Sequence, residues 1–131
     1  MLRKLIFALC LTLPLAGCEA GIVGNTLAGC AAQPEPTLLP ESLPAAVAGK
    51  PYRVLLEVTN TSTPVHGIYV NDAYALPEGL WLEHQDRDSH GLITGTPLKA
   101  GTYEVHMSAG TYGTQCTGRR ARRVYSLAVT E

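Results

Sequence analysis

Four side chains that commonly bind metal ions alternate along one polar stretch of the sequence. They are His84, Asp86, Asp88 and His90, at every second position. In an extended strand, residues two positions apart project to the same side, so their imidazole nitrogens and carboxylate oxygens could meet at one cation. Calcium prefers oxygen ligands, whereas zinc also accepts histidine, so either ion is compatible with the set. The alternative is a solvated loop in which this stretch is not extended.

Four arginines near the C-terminus form the one cluster of like charge. They are Arg119, Arg120, Arg122 and Arg123. Guanidinium groups bind phosphate and carboxylate groups through paired hydrogen bonds, so the cluster could hold lipid phosphates or an acidic partner. We place it at the base of a hairpin whose tip includes residues 111–118. The alternative is a solvated edge strand whose charges prevent pairing with another chain.

The single tryptophan, Trp81, lies between Leu80 and Leu82. If both leucines point into a core, the indole points outward, where its flat face could stack on a sugar ring. The alternative is that Trp81 packs as a lid over one end of the domain. The sequence therefore offers Trp81 and the four arginines as ligand-contact candidates.

No motif typical of catalysis or cofactor binding occurs in the chain. The sequence has no GxSxG, HExxH, phosphate-binding loop or glycine-rich dinucleotide signature. Its 131 residues are enough for one small domain with little space for a deep pocket. The net charge of -1, with 16% charged residues, lacks the positive excess typical of nucleic-acid binding. We therefore expect a non-enzymatic protein with neither a cofactor nor a nucleic-acid partner.

Hydrophobic periodicity after the N-terminal region is that of β-strands. Residues 52–59 place apolar side chains at alternate positions, interrupted only by Leu55. Similar alternation occurs over residues 102–108 and 125–129, and the chain's 13 glycines and 9 prolines favour turns. No segment after the N-terminal apolar run has convincing helical periodicity. We predict an all-β domain over residues 43–131, with two packed antiparallel sheets of about seven strands.

A series of short motifs matches a known family in order along the chain. They are AGKPY at residues 48–52, LPEGLWL at 76–82, HGLITGTP at 90–97 and AGTY at 100–103. In these residues the chain resembles the Putative Ig domain family of bacterial envelope proteins, which is related to cadherin-like sandwiches. The resemblance implies an Ig-like or cadherin-like β-sandwich, in which Tyr103 resembles the tyrosine corner of such folds. It does not imply one function, because this fold supports adhesion, carbohydrate-associated and spacer modules.

The N-terminus resembles the signal peptide of a bacterial lipoprotein. A basic start, Arg3-Lys4, precedes an apolar run over residues 5–15 that is too short to span a bilayer. The sequence LAGC at residues 15–18 then resembles a lipobox. The resemblance implies cleavage after residue 17, diacylglyceryl transfer to Cys18 and anchoring in an envelope membrane by two or more acyl chains such as palmitate. Glu19, in place of an aspartate at the second mature position, favours the outer membrane.

The motif LAGC occurs a second time, at residues 27–30. We favour Cys18 as the lipidated residue, because its apolar run directly follows the basic start. A signal peptide that ended at Cys30 would contain charged and polar residues. Residues 18–42 are rich in alanine, glycine and proline, and we predict that they form a flexible tether.

Two cysteines remain after cleavage and lipidation of Cys18, namely Cys30 and Cys116. In an oxidising envelope compartment they could form a disulfide, which would close a loop of roughly 86 residues and stabilise the fold by about 4 kcal/mol. The alternative is two free or intermolecular thiols. Lipidation of Cys30 would leave Cys116 unpaired.

These features predict a lipid-anchored envelope protein that presents one Ig-like module for protein interaction or a structural role. The alternative is a glycan-binding or calcium-assisted adhesion module that uses Trp81 or residues 84–90. The expected partners are the membrane, through the N-terminal lipid, and an envelope protein, with a glycan as the alternative. The sequence leaves the oligomeric state open.

Overall fold

The computed structural model describes residues 29–131 and contains two four-stranded β-sheets. The strands are β1 (Thr37–Leu39), β2 (Ala46–Val47), β3 (Tyr52–Thr59), β4 (Val65–Val70), β5 (Leu80–His84), β6 (His90–Gly95), β7 (Gly101–Thr111) and β8 (Arg120–Thr130). Sheet A has the order β1-β3-β6-β5, and sheet B has the order β2-β8-β7-β4. Residues 29–31 are helical, and no helix of the described residues is long and apolar enough to cross a membrane. The predicted all-β sandwich is confirmed, with eight strands.

Alternating burial explains why the long strands form where they do. β3 buries every second residue from Tyr52 to Val58 and exposes those between them. Ile93 of β6, Val105 of β7 and Leu127 of β8 are completely buried. Because successive side chains of a strand point to opposite sides, one face of each sheet enters the core and the other faces solvent. The inner faces of the two sheets together make one hydrophobic core.

The first strand lies in the segment predicted to be a tether. β1 pairs antiparallel with β3, with Leu38 opposite Val58, and Leu38 is 1% exposed. β2 then pairs in parallel with the end of β8 in the other sheet, the one parallel pair among the described strands. The compact unit begins at Gln33, so the domain starts before residue 43. A three-residue strand flanked by prolines is too short to show alternation, which is why the sequence pattern misses it.

Two inward-pointing side chains of β8 bind backbone carbonyls in and after β1. Arg123 Nε donates to Leu38 O at 2.7 Å, and Tyr125 OH donates to Pro40 O at 2.7 Å. β1 and β2 are too short for their backbone hydrogen bonds to pair every carbonyl of this part of the chain. The side chains of Arg123 and Tyr125 supply the missing donors. The first residues of the domain are therefore held to both sheets.

The hydroxyl of Tyr103 has its partner close along the chain. Tyr103 OH donates to Lys99 O at 2.9 Å, across the turn that leads into β7. This bond to the backbone just upstream is the arrangement of a tyrosine corner. The sequence indicated the device at Tyr103, and the structure supplies the acceptor.

The turn before β5 and the end of β6 meet through two glycines. Leu80 N donates to Pro77 O at 3.1 Å, and Thr96 N donates to Gly79 O at 3.0 Å. Gly79 and Gly95 have φ angles of 98° and 129°, and a Cβ on Gly95 would clash with the Gly79 carbonyl oxygen. Glycine is required at residue 95 for both conformation and space.

Cys30 and Cys116 are disulfide-bonded to each other, which confirms the predicted pairing. Cys116 lies in the loop between β7 and β8. The predicted signal peptide, the predicted lipid-attachment residue Cys18 and the first part of the predicted tether lie outside the described residues.

Gly95→Ala is expected to lower the free energy of unfolding by about 3 kcal/mol, because the methyl group meets a carbonyl oxygen and the backbone has positive φ. Gly49→Ala is the matched control, since Gly49 has a φ of 79° but open space where its Cβ would stand. That change should cost about 1 kcal/mol. Urea unfolding of both variants measures the difference, and equal losses would contradict the close approach of residues 79 and 95.

Stability is expected to fall as the pH rises from about 10 to about 12. Burial raises the pKa of Tyr52 and of Tyr125 from 10.0 to about 12. Between these values the unfolded chain has released the two protons and the folded chain has not, so each increase in pH favours unfolding. Urea midpoints should decline less steeply with pH for Tyr125→Phe than for the parent, although the variant begins lower because Pro40 O loses its donor. Parallel declines would refute this assignment.

Candidate functional site

The turn between β5 and β6 keeps three of the four candidate metal ligands close together and turns Asp86 away from them. β5 ends at His84 and β6 begins at His90, and the backbone reverses between them, where Arg87 has a φ of 73°. His84 Nε2 donates to Asp88 O at 2.7 Å, and His90 N donates to Asp88 Oδ1 at 2.9 Å. The bond from His90 N lowers the pKa of Asp88. These groups bind one another and shape the turn.

Asp86, the remaining member of the set, points to a different neighbour. Tyr112 OH donates to Asp86 Oδ1 at 2.6 Å, and this bond raises the pKa of Tyr112. Arg87 also contacts Tyr112, with its Cζ atom 5.5 Å from the centre of the Tyr112 ring. The backbone N of Arg87 donates to Val65 O. Within residues 29–131, no group of three or more His, Cys, Asp or Glu side chains could hold a metal ion. The predicted convergence is wrong, because the chain reverses in the middle of the run.

Strand alternation divides the four arginines among different environments. Arg123 points inward to the β1 carbonyl, whereas Arg120 and Arg122 are exposed on the outer face of sheet B. Arg119 precedes β8, and its backbone pairs with Thr111. β2 pairs only with the end of β8, so the first half of β8 is a sheet edge, as the edge-strand alternative predicts. The arginines do not act as one cluster.

Trp81 points outward from the edge strand β5. Its side chain is 52% exposed, and Nε1 donates to Glu83 Oε1 at 3.0 Å. Leu80 is buried, and Leu82 is half-buried against the core. The indole lies beside Gly95 on the sheet, where its Cζ3 atom would contact a Cβ at that position. Trp81 therefore exposes its indole on the sheet and does not form a lid over the end of the sandwich.

An apolar patch crosses the outer face of sheet A beside the indole. Leu55 of β3 lies opposite Leu92 of β6, and Leu92 lies opposite Glu83 of β5. Leu55 is 62% exposed, and a shallow cavity of about 180 Å³ opens over this row. Leu55, Trp81, Glu83 and Leu92 are named the sheet A patch. An apolar centre with charge at its rim is the anatomy of a protein-binding surface.

A second apolar surface lies on the other side of Trp81. A groove of about 410 Å³ opens between the edge strands β4 and β5. The apolar residues Ile68, Leu76, Leu80 and Leu82 line it together with Tyr69, Asn71 and Asp72, and Trp81 also contributes to its wall. These residues define the edge groove. Within the described part of the chain, β5 has one ladder partner, so its other edge leaves backbone donors and acceptors beside the groove.

Sequence reasoning missed Leu55 and the edge groove. Leu55 is the one interruption in an alternating strand, and an apolar residue at an outward position is a signal that could have revealed the sheet A patch. No pattern in the sequence could have revealed the edge groove, because its lining comes from two strands and the segment between them. Only the packing of the sheets brings those residues together.

Two packed four-stranded sheets and a tyrosine corner define an Ig-like β-sandwich. Residues 35–130 match the Putative Ig domain family, and the chain belongs to this family. The resemblance in the short motifs is thereby confirmed. No curated protein sequence matches the chain.

Solved structures share the fold at low sequence identity. The sialic acid binding region of the Streptococcus sanguinis SK1 adhesin, bound to 3'sLn, has a TM-score of 0.52 and 15% identity, covering 75% of this chain and 31% of that one. The SrpA adhesin of Streptococcus sanguinis has a TM-score of 0.52 and 14% identity, covering 74% and 56%. An endo-fucoidan hydrolase of glycoside hydrolase family 107 has a TM-score of 0.51 and 14% identity, covering 76% and 14%. The chain therefore spans less than two thirds of each of these proteins, and the likeness establishes the fold alone.

Proposed function

We propose that this protein is a non-enzymatic, lipid-anchored protein of the bacterial cell envelope that binds a protein partner. The observation that carries the binding proposal is the position of Trp81 between the sheet A patch and the edge groove. The proposed lack of catalysis rests on the sequence, which carries no catalytic motif.

Burial of Trp81 and Leu55 by a partner would release water from apolar surface, worth about 25 cal/mol for each Å² covered. Protein interfaces concentrate their binding energy in a few central aromatic residues, with charged residues at the rim. Trp81 suits the central role because its bond to Glu83 holds the indole in one orientation. The open edge of β5 offers backbone groups to an extended segment of the partner.

The proposed anchor rests on the lipobox-like motif at residues 15–18 and on the disulfide. The sulfur of Cys30 is bonded to Cys116, so it is not free to carry a diacylglyceryl group. This supports Cys18 as the lipidated residue. Glu19 at the second mature position supports the outer membrane as the location. The segment between Cys18 and Gln33 would then tether the domain to the bilayer.

A glycan is the second candidate ligand, and one observation favours it. The exposed indole of Trp81 has the carboxylate of Glu83 at 3.0 Å from Nε1, so an apolar ring face and a hydrogen-bond acceptor lie together, as sugar stacking requires. Among the proteins with this fold, the SK1 adhesin region is described as sialic acid binding. A calcium-assisted form is not proposed, because the turn at residues 84–90 does not gather its ligands.

Photo-crosslinking in the native envelope tests the binding surface. A photoreactive amino acid at Leu55 should give a discrete protein adduct by mass spectrometry, because residue 55 lies in the sheet A patch. The same probe at Ala128, exposed on the outer face of sheet B, is the control and should not give that adduct. Adding Trp81→Ala to the chain that carries the probe at residue 55 should remove most of the adduct. The domain should remain folded, because Trp81 is exposed.

Each result of the crosslinking has a distinct meaning. A protein adduct that survives Trp81→Ala would show that the indole is not the anchor. Adducts to glycan alone would establish the second candidate. The same adducts from residues 55 and 128 would refute the sheet A patch as the binding surface.

Membrane fractionation and peptide mass spectrometry test the anchor. Cys18→Ser should release the protein from the membrane fraction and abolish acylation of the N-terminal peptide. Cys30→Ser is the matched control, which should stay lipidated and membrane-bound although it loses the disulfide. If Cys30→Ser lost its lipid and Cys18→Ser kept it, Cys30 would be the lipidated residue and the assignment to Cys18 would be wrong.

A further inference from the structure

Two arginines are exposed on the outer face of sheet B. Arg120 and Arg122 lie two positions apart in β8 and project to the same side. Within residues 29–131, neither guanidinium takes part in an ion pair or hydrogen bond. Glu104 on the same face contacts His106 Nε2 at 3.2 Å. No acidic side chain in the part of the chain that the structure describes therefore pairs with either arginine.

The arginines border a cavity built by three adjacent strands. Arg122 lies opposite Ser108 of β7, and Ser108 lies opposite Tyr69 of β4. Tyr69 is 44% exposed, and its hydroxyl lies 2.9 Å from His66 Nδ1, which orients the ring. A cavity of about 360 Å³ opens over this row.

An apolar side chain and a second aromatic pair complete the wall. Val124 is 59% exposed and lines the cavity. His106 also lines it and stacks on Tyr74 with ring centres 4.0 Å apart, so the imidazole is held in place. The cavity thus combines two cations and a hydroxyl with apolar surface on rigid strands.

We propose that this cavity binds an anionic sugar, that is, a sugar ring carrying a carboxylate or phosphate group. Arg120 and Arg122 would bind the anionic group, since guanidinium groups pair with both oxyanions in a bidentate manner. Ser108 would bond to a ring hydroxyl, and Tyr69 and Val124 would cover the apolar face of the ring. The volume fits one or two sugar units, at the small end of ligand pockets. This site lies on the opposite outer face from the sheet A patch, and it shares Tyr69, Val70 and Asn71 with the lining of the edge groove.

The same chemistry has two natural sources in an envelope. A carboxylated sugar would come from an acidic glycan, and a phosphorylated sugar from the headgroup of a glycolipid. Glucuronic acid and a glucosamine monophosphate serve as the two probes, and neutral N-acetylglucosamine as the control. Binding of one probe and not the other would identify the source.

Saturation-transfer difference NMR with the full chain in detergent tests the site. The anionic probes should receive saturation, and their apparent affinity should drop at least tenfold in the double variant Arg120→Gln/Arg122→Gln, because two charged hydrogen-bond donors are lost. Arg53→Gln/Lys99→Gln is the charge-matched control, with both substituted residues exposed elsewhere, and should bind as the parent does. Ser108→Ala should weaken binding a few-fold while the anion contacts remain.

Three outcomes would overturn the proposal. One is that neither anionic probe receives saturation at about 10 mM, the weak end of specific binding. Another is that neutral N-acetylglucosamine binds as well as the anionic probes do. The third is an equal loss of affinity in the control double variant, which would mean a general effect of net charge. Circular dichroism of each variant establishes that the fold is retained.

Discussion

Burial of one face of each sheet is the constraint on which the rest of this structure depends. Leu56, Ile93, Val105 and Leu127, one from each of the strands β3, β6, β7 and β8, are completely buried between the sheets. Since the side chains of a strand alternate, fixing the inward set also fixes the outward set. A slip of one residue would bring charged residues into the core and expose the apolar ones, so the register is strongly specified. The exposed surfaces are therefore as well defined as the core.

Closure of the sandwich depends on contacts that do not follow the ladder pattern. β1 and β2 are short and belong to different sheets, so few backbone bonds hold them. Arg123 and Tyr125 compensate by donating to carbonyls in and after β1. One arginine of the basic cluster consequently bonds to the backbone of β1, whereas the side chains of Arg120 and Arg122 are exposed on the outer face of sheet B. Adjacent residues of the same type thus have different environments, because successive side chains of a strand point to opposite faces.

The two outer faces have different chemistry, which favours separate roles. The outer face of sheet A exposes Trp81 and Leu55, next to the edge groove, and suits an apolar partner surface. The outer face of sheet B exposes Arg120 and Arg122 over a cavity with Ser108 and suits an oxyanion. The sheet A patch and the sheet B cavity lie on opposite outer faces, whereas the edge groove shares Tyr69 with the cavity. The disulfide adds a covalent constraint at residues 30 and 116.

The sequence alone determined the features that depend on local patterns or on the number of residues of one type. Period-two alternation predicted the long strands, with β3 over residues 52–59 as observed, and the glycine-containing motifs indicated the family. The cysteine count pointed to the disulfide. The tertiary structure decided where the chain reverses and which strands become neighbours, because these depend on contacts far apart in sequence. It turned Asp86 away from the other three candidate metal ligands, divided the arginines, placed β1 in sheet A and assembled the edge groove. Burial of the shared core selects one arrangement among those that local periodicity permits.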